Sequence, residues 1–165
     1  MILMATGHRP EYLICKYDEK HPWLINLKDK LYAFLHHHRF DIEFAISGMA
    51  LGWDTWFAEE CLKLRIPLHA YIPFVGQEER WSFSAQKRYK DIIKACDKIN
   101  LISRNYSKSA FLERNKAMIN NTSHIAALWN PKMKTGGTFF TINFAQKNNL
   151  PIYNFWKGSA MYNWR

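Results

Sequence analysis

Cysteine is scarce. Cys15, Cys61 and Cys96 are the three present, widely spaced and never in a C-x-x-C pair, which argues against a disulfide framework or a zinc site. Cys61 and Cys96 lie in apolar, helix-like stretches and read as small core residues. No H-x-x-x-H or Cys/His set occurs, and His36, His37 and His38, being consecutive on a helix, point in different directions. They read as the end of a helix near its negative pole, so no metal is expected. No G-x-x-x-x-G-K-[ST] loop is present, which excludes a P-loop NTPase. The G-x-G-x-x-G dinucleotide fingerprint and the G-x-S-x-G nucleophile elbow are missing too. No apolar run is long enough to cross a bilayer, and Met1-Ile2-Leu3-Met4 runs directly into a turn at Thr6-Gly7 without a signal-peptide pattern. A cytoplasmic protein with no membrane partner is expected. Acidic residues are also few: 14 Asp and Glu face 23 Lys and Arg, a net charge of +9. Such an excess suits an anionic partner. The basic residues are scattered over several segments, so charge does not separate a small anion from a polymer.

What is present is an alternation of apolar runs with helical patterns. Strand-like runs cover 2–5, 42–46, 68–72, 98–103, 124–129 and 151–155. Helical spacing covers 24–38, 53–64, 82–95, 109–120 and 138–148. Repeated β-α units with short connections predict an α/β, Rossmann-like fold. Its sheet is doubly wound and mostly parallel, in three αβα layers. The 165 residues, 48% of them hydrophobic, suit a single domain over 1–165. Near-continuous apolar strands suit burial on both faces. The tail 156–165 is aromatic-rich and is expected to pack down.

The glycines mark one edge of this sheet. Gly7 follows the first strand, Gly48 and Gly52 the second, and Gly136 and Gly137 lie between the fifth strand and a helix. In a parallel sheet these points share the carboxyl edge, where such folds bind ligands. Thr135-Gly136-Gly137-Thr138 is the first phosphate candidate, since a helix start offers free N–H groups and partial positive charge. Ser47-Gly48-Met49-Ala50-Leu51-Gly52-Trp53-Asp54 is the second; Asp54 either accepts from a ribose hydroxyl or caps its helix. Thr6-Gly7-His8-Arg9-Pro10 is the third, with Arg9 suited to two-pronged anion recognition and His8 a candidate acid or base. Gln77 and Trp81 follow the third strand and could read and stack a base. Arg114 opens or lies early in a helix and could reach a phosphate.

These segments, with Ile72-Pro73-Phe74-x-Gly76-Gln77-Glu78 and Trp81, resemble the YpsA-like branch of the SLOG superfamily, in order over residues 2–153. The superfamily has a Rossmann-like fold and includes the LOG phosphoribohydrolases and the DNA-processing protein DprA. The resemblance implies a ligand site made of Thr6, Gly7, Arg9, Ser47, Gly48, Gly52, Asp54, Gln77, Trp81, Arg114, Gly136, Gly137 and Thr138. LOG enzymes pair an R-x-x-x-M helix with P-G-G-x-G-T-x-x-E. Arg114-Asn115-Lys116-Ala117-Met118 fits the first part, but Thr141 stands where the glutamate would be. That glutamate would stabilise positive charge on the sugar ring as the glycosidic bond breaks. Without it, hydrolysis would need Asp54, Glu59 or Glu60 at the sugar, with Arg114 on the phosphate. Glu59 and Glu60 read more simply as a solvated helix face.

Three functions follow as expectations. The first is binding of a nucleotide or nucleotide-derived small molecule, for sensing or sequestration and without a cofactor. The second is cleavage of a nucleoside monophosphate by a LOG-type N-glycosidase. The third is DprA-like binding of single-stranded DNA, which the Ser47 to Asp54 match and the positive charge permit. A homo-oligomer is compatible with the Trp and Phe content.

Overall fold

The computed structural model describes residues 1–156. Six short strands form one sheet: β1 (Ile2–Gly7), β2 (Phe44–Ser47), β3 (Leu68–Phe74), β4 (Lys98–Ser103), β5 (His124–Leu128) and β6 (Ile152–Asn154). Every neighbouring pair is parallel, in the order β4-β3-β2-β1-β5-β6, so the expected mostly parallel sheet is wholly so among the described residues. β3 runs past Pro73, where the sequence suggested a stop. Pro73 lies beyond the last pairing with β2, Ser47 with Ala70, and its missing N–H costs that ladder nothing.

Helices cover both faces. α1 (Pro22–His38), α2 (Trp53–Lys63) and α3 (Phe83–Ala95) share one core with the larger face of the sheet. α4 (Lys108–Asn120) and α5 (Gly136–Lys147) pack on the other face around Met4, Ile46 and Tyr71. The chain moves outward from β1 to β4, and α4 then carries it back to β5. The sheet order therefore reverses between β1 and β5, and parallel α/β sheets open a crevice at such a point. No helix among the described residues is long and apolar enough to cross a membrane. Of the aromatic tail, Trp156 packs edge-on against His8 and Trp23; the rest of that segment lies outside the described residues.

Helix starts differ in a way that bears on function. α1 is capped by His21 Nδ1, which accepts from Trp23 N at 3.1 Å. α3 is capped by Ser82 Oγ and α4 by Ser107 Oγ. α2 and α5 have no side-chain cap, so their first amides are left for other partners.

Trp53, 1% exposed, lies over β1, and its indole Nε1 donates to Ala126 O of β5 at 3.0 Å. It has room only because residue 7 is glycine: a Cβ there would lie 2.5 Å from Trp53 Cβ. The loop between β1 and α1 is fastened by Glu19, which accepts from Lys28 Nζ at 2.7 Å and Trp56 Nε1 at 3.1 Å and is paired with Arg88. Arg88 also holds Glu59, and Glu60 is buried beside Lys63 at 2.6 Å. Glu59 and Glu60 are thus tied into packed contacts and do not form the solvated face the sequence suggested.

Gly7→Ala is expected to cost about 2 kcal/mol through overpacking against Trp53, lowering Tm by roughly 4–8 °C for a chain of this size. A melt followed by circular dichroism checks this, and an unchanged Tm would show that Trp53 repositions freely. Burial works to raise the Glu19 carboxyl, but hydrogen bonds from Arg88, Lys28 and Trp56 outweigh it and hold the group down to about 2, below its ordinary 4.5. Its contribution to stability is therefore complete above pH 4.5 and is lost as pH falls toward 2. Glu19→Gln should reduce the acid sensitivity of Tm in that window, modestly, because the side chain is 40% exposed.

Candidate functional site

The end of β1, the starts of α2 and α5 and one side of α4 line a cavity of about 400 Å³ at the switch point. β1 and the turn after it deliver Thr6, Gly7, His8 and Arg9; α2 delivers Asp54; α4 delivers Arg114 and Asn115; Thr135 to Thr138 form the opposite rim. Thr6 is buried and Arg9 exposed. Met4, Ala5 and Met118 form an apolar floor.

The rim at α5 is bare backbone. Gly136 has φ +87°, a conformation that favours glycine, and a Cβ there would meet nothing within 4 Å. Thr135 sits at the cap position in extended conformation but makes no cap bond. Thr141 Oγ1 donates to Gly137 O at 3.1 Å, so the residue standing in the glutamate position is spent within its own helix and buried.

The turn after β2 is self-contained. Ser47 Oγ accepts from Met49 N at 3.1 Å and donates to Asp54 O at 2.9 Å. The Asp54 carboxyl accepts from Ala50 N at 3.4 Å. Gly52, with φ +89°, is crowded by Pro10 at 2.8 Å from a would-be Cβ. Ser47, Gly48 and Gly52 therefore build this turn and do not line the cavity, whereas Ala50 and Asp54 do. Gly48 also makes room for two charged groups. A Cβ there would lie 2.2 Å from Arg114 Nη1 and 2.9 Å from Asp54 Oδ2. Only glycine lets the buried guanidinium and the buried carboxyl close on this point. Arg114 Nη1 donates to Gly48 O, and Nε donates to Asn115 Oδ1 at 2.8 Å.

Burial pushes the Asp54 carboxyl up to about 6, against the opposing pull of Arg114, the Ala50 N–H and Arg9. Burial also lowers the Arg114 pKa, with Asp54 opposing; a guanidinium remains charged throughout. His8 is lowered by burial, and its Nε2 accepts from Asn130 N at 2.9 Å. The neutral ring thus carries its proton on Nδ1.

Not all expected residues meet here. Gln77 Nε2 donates to Met49 O at 3.4 Å, and Trp81 stands edge-on to Tyr89. Both line a neighbouring cavity. Glu59, held by Arg88, is outside the cavity, which leaves Asp54 as the buried carboxyl in it. Sequence reasoning missed Glu11, Tyr12, Phe111, Asn115 and Met133 in the lining. Asn115 had one available signal, its place beside Arg114; its Nδ2 would sit 3.2 Å from a Gly137 Cβ, so it links Arg114 to the α5 rim. No group of three metal-ligating side chains occurs among the described residues.

This arrangement defines a Rossmann-like α/β protein with a crevice at the β1/β5 reversal. The chain belongs to the family described as the YspA SLOG family, whose profile matches residues 3–157. It is 27% identical over 166 residues to a UPF0398 protein of Bacillus licheniformis, an alignment that covers 92% of this chain and 88% of the relative. Two solved structures share the fold. The DNA processing protein A of Streptococcus pneumoniae superposes with a TM-score of 0.65 at 16% identity over 97% of this chain. The chain spans about half of that protein, 51%. The Helicobacter pylori protein of the same name, described for its single-stranded DNA binding mode, superposes with a TM-score of 0.63 at 18% identity, covering 93% of this chain and 64% of that one.

The raised Asp54 value carries a sign opposite to that of Glu19. The folded chain retains this proton between pH 3.8 and about 6, where the unfolded chain has released it. The resulting stability is greatest below 3.8 and is lost as pH rises through 6. Relative to wild type, Asp54→Asn should therefore gain in Tm as pH is raised from 4 to 7, in the range set by these two values. A Tm difference that stays flat with pH would contradict this assignment.

Proposed function

We propose that this protein binds a nucleotide or nucleotide-derived small molecule, with a phosphate at the start of α5. The observation that carries this reading is the uncapped α5 start, with Gly136 open to a cavity that Arg9 and Arg114 also line. Free amides at a helix start, with the partial positive charge of the helix, favour an anion. Arg9 supplies an exposed second donor group, and Arg114 a fixed charge. The Nδ1–H of His8 and the Thr138 hydroxyl add neutral donors suited to a sugar or a phosphate edge. Membership of the SLOG family and the fold shared with DNA processing proteins agree with nucleotide chemistry.

A second reading, N-glycosidic cleavage of a nucleoside monophosphate, is favoured by one feature: Asp54 lines the same cavity as Gly136 and Gly137. In this reading Asp54 takes the place of the glutamate whose position Thr141 occupies. It predicts release of free base from AMP, measurable by chromatography and abolished in Asp54→Asn. Intact AMP after prolonged incubation would leave binding alone.

Thr138→Glu tests the first reading. A carboxylate in the first turn suits the helix dipole and preserves folding, but it places negative charge where the phosphate would sit. We expect wild type to show a thermal shift with millimolar AMP or NAD and the variant to bind at least ten-fold more weakly. No shift with any nucleotide in wild type would overturn the proposal.

A further inference from the structure

The sheet has two unequal edges. β6, at one end, is three residues long. β4, at the other, runs six residues and pairs only with β3 among the described residues. It keeps one offset against β3 from Lys98 to Ser103, so it carries no bulge, and it contains no proline. Bulges and prolines are common devices for blunting a free edge. Ile102 packs on the side of α4 and α5. Side chains alternate along a strand, so Ile99 and Leu101 lie on the other face, where they are 52% and 45% exposed.

The backbone fixes what this edge offers. Asp97 N donates inward to Leu68 O at 2.9 Å. Along a strand, alternate residues turn their N–H and C=O groups to the same neighbour, so Ile99 and Leu101 also bond inward. Lys98, Asn100 and Ile102 direct theirs out of the sheet. A second copy of this edge, antiparallel about a two-fold axis at Asn100, satisfies them. Asn100 then pairs with itself and Lys98 with Ile102. Ile99 meets Leu101 at a non-hydrogen-bonded position, where side chains approach most closely. The opposed carboxamides also give Asn100 Nδ2, which has no hydrogen-bond partner among the described residues, an acceptor. Moving the axis to Leu101 would set Lys98 against Arg104, and like charges directly opposite destabilise a strand pair. Moving it to Ile99 would set Leu101 against Asp97.

We propose that β4 pairs with β4 of a second copy of this chain, joining the two sheets into one continuous sheet. Backbone bonds of Lys98, Asn100 and Ile102 hold the joint, and the Ile99–Leu101 contacts add apolar burial on its open face. The antiparallel joint turns the carboxyl edges of the two sheets in opposite directions. Each β1/β5 crevice stays clear of it, with β2 and β3 between, so the pairing is independent of what the crevice binds. The net charge of +9 on each copy opposes approach, and the joint itself pairs no opposite charges. Association therefore tightens as salt screens that repulsion.

Sedimentation velocity on the full chain tests this. Wild type should dimerise at roughly 10–100 μM, as a small interface would, and more tightly at about 0.5 M than at about 0.05 M salt. Leu101→Lys, at an exposed position, should weaken the dimer about ten-fold or more and leave the circular dichroism spectrum unchanged. Asn100→Pro removes an outward N–H that the β3 ladder does not use and should abolish the dimer. Ile99→Cys combined with Leu101→Cys should form a covalent dimer on oxidation, because such cross-strand neighbours have Cα atoms about 4.5 Å apart, within disulfide reach. Wild type, oxidised alongside, should not. A wild-type chain that stays monomeric throughout this range would overturn the proposal. So would a dimer untouched by Leu101→Lys and Asn100→Pro, a dimer that loosens in salt, or a double variant that does not cross-link.

Discussion

One buried ring ties the two halves of the sheet together. Trp53 stands at the first position of α2, crosses Gly7 of β1 and bonds Ala126 of β5. The outward run of the chain from β1 to β4 and its return to β5 and β6 are thereby locked across the reversal point. The same contact places the start of α2, and with it Asp54, at the crevice. A parallel sheet opens a crevice wherever its order reverses, but the shape of this one depends on an indole that only a glycine admits.

A second constraint supplies the charge. Arg114 and Asp54 are buried around Gly48, and neither would persist in a dry interior without partners. Arg114 is fixed by Nη1 on the Gly48 carbonyl and Nε on Asn115, and Asp54 is drawn toward protonation by burial. The result is a fixed cation beside a carboxyl whose titration burial raises to about 6. The fixed cation lines the same cavity as the helix start left uncapped at α5.

Much of this was readable in advance because strand and helix periods are local. The β-α alternation, the glycines at the carboxyl edge, and the sequence likeness around Ser47 to Asp54 and Arg114 to Met118 all pointed to one edge of one sheet. What each glycine does there was not readable. Gly7 and Gly48 make room for Trp53 and Arg114, Gly52 admits Pro10, and Gly136 opens onto empty space. One residue type serves packing in one place and exposure in another, and only the neighbours distinguish them. Glu59 and Glu60 misled for the same reason: their partners, Arg88 and Lys63, include one from another helix.

By itself the sequence determined the alternating elements, the parallel α/β class and the edge on which the loops gather, because these follow from periodicity, turn chemistry and strand hydrophobicity. Tertiary structure decided which residues face the crevice. It moved Gln77 and Trp81 to a separate basin, set Ser47 and Gly48 behind the lining, and brought Asn115 and Glu11 into it. Such placement depends on which helix crosses which strand end, and α4 turns back over β4 and β3 before Arg114 meets Gly48, 66 residues away in the chain.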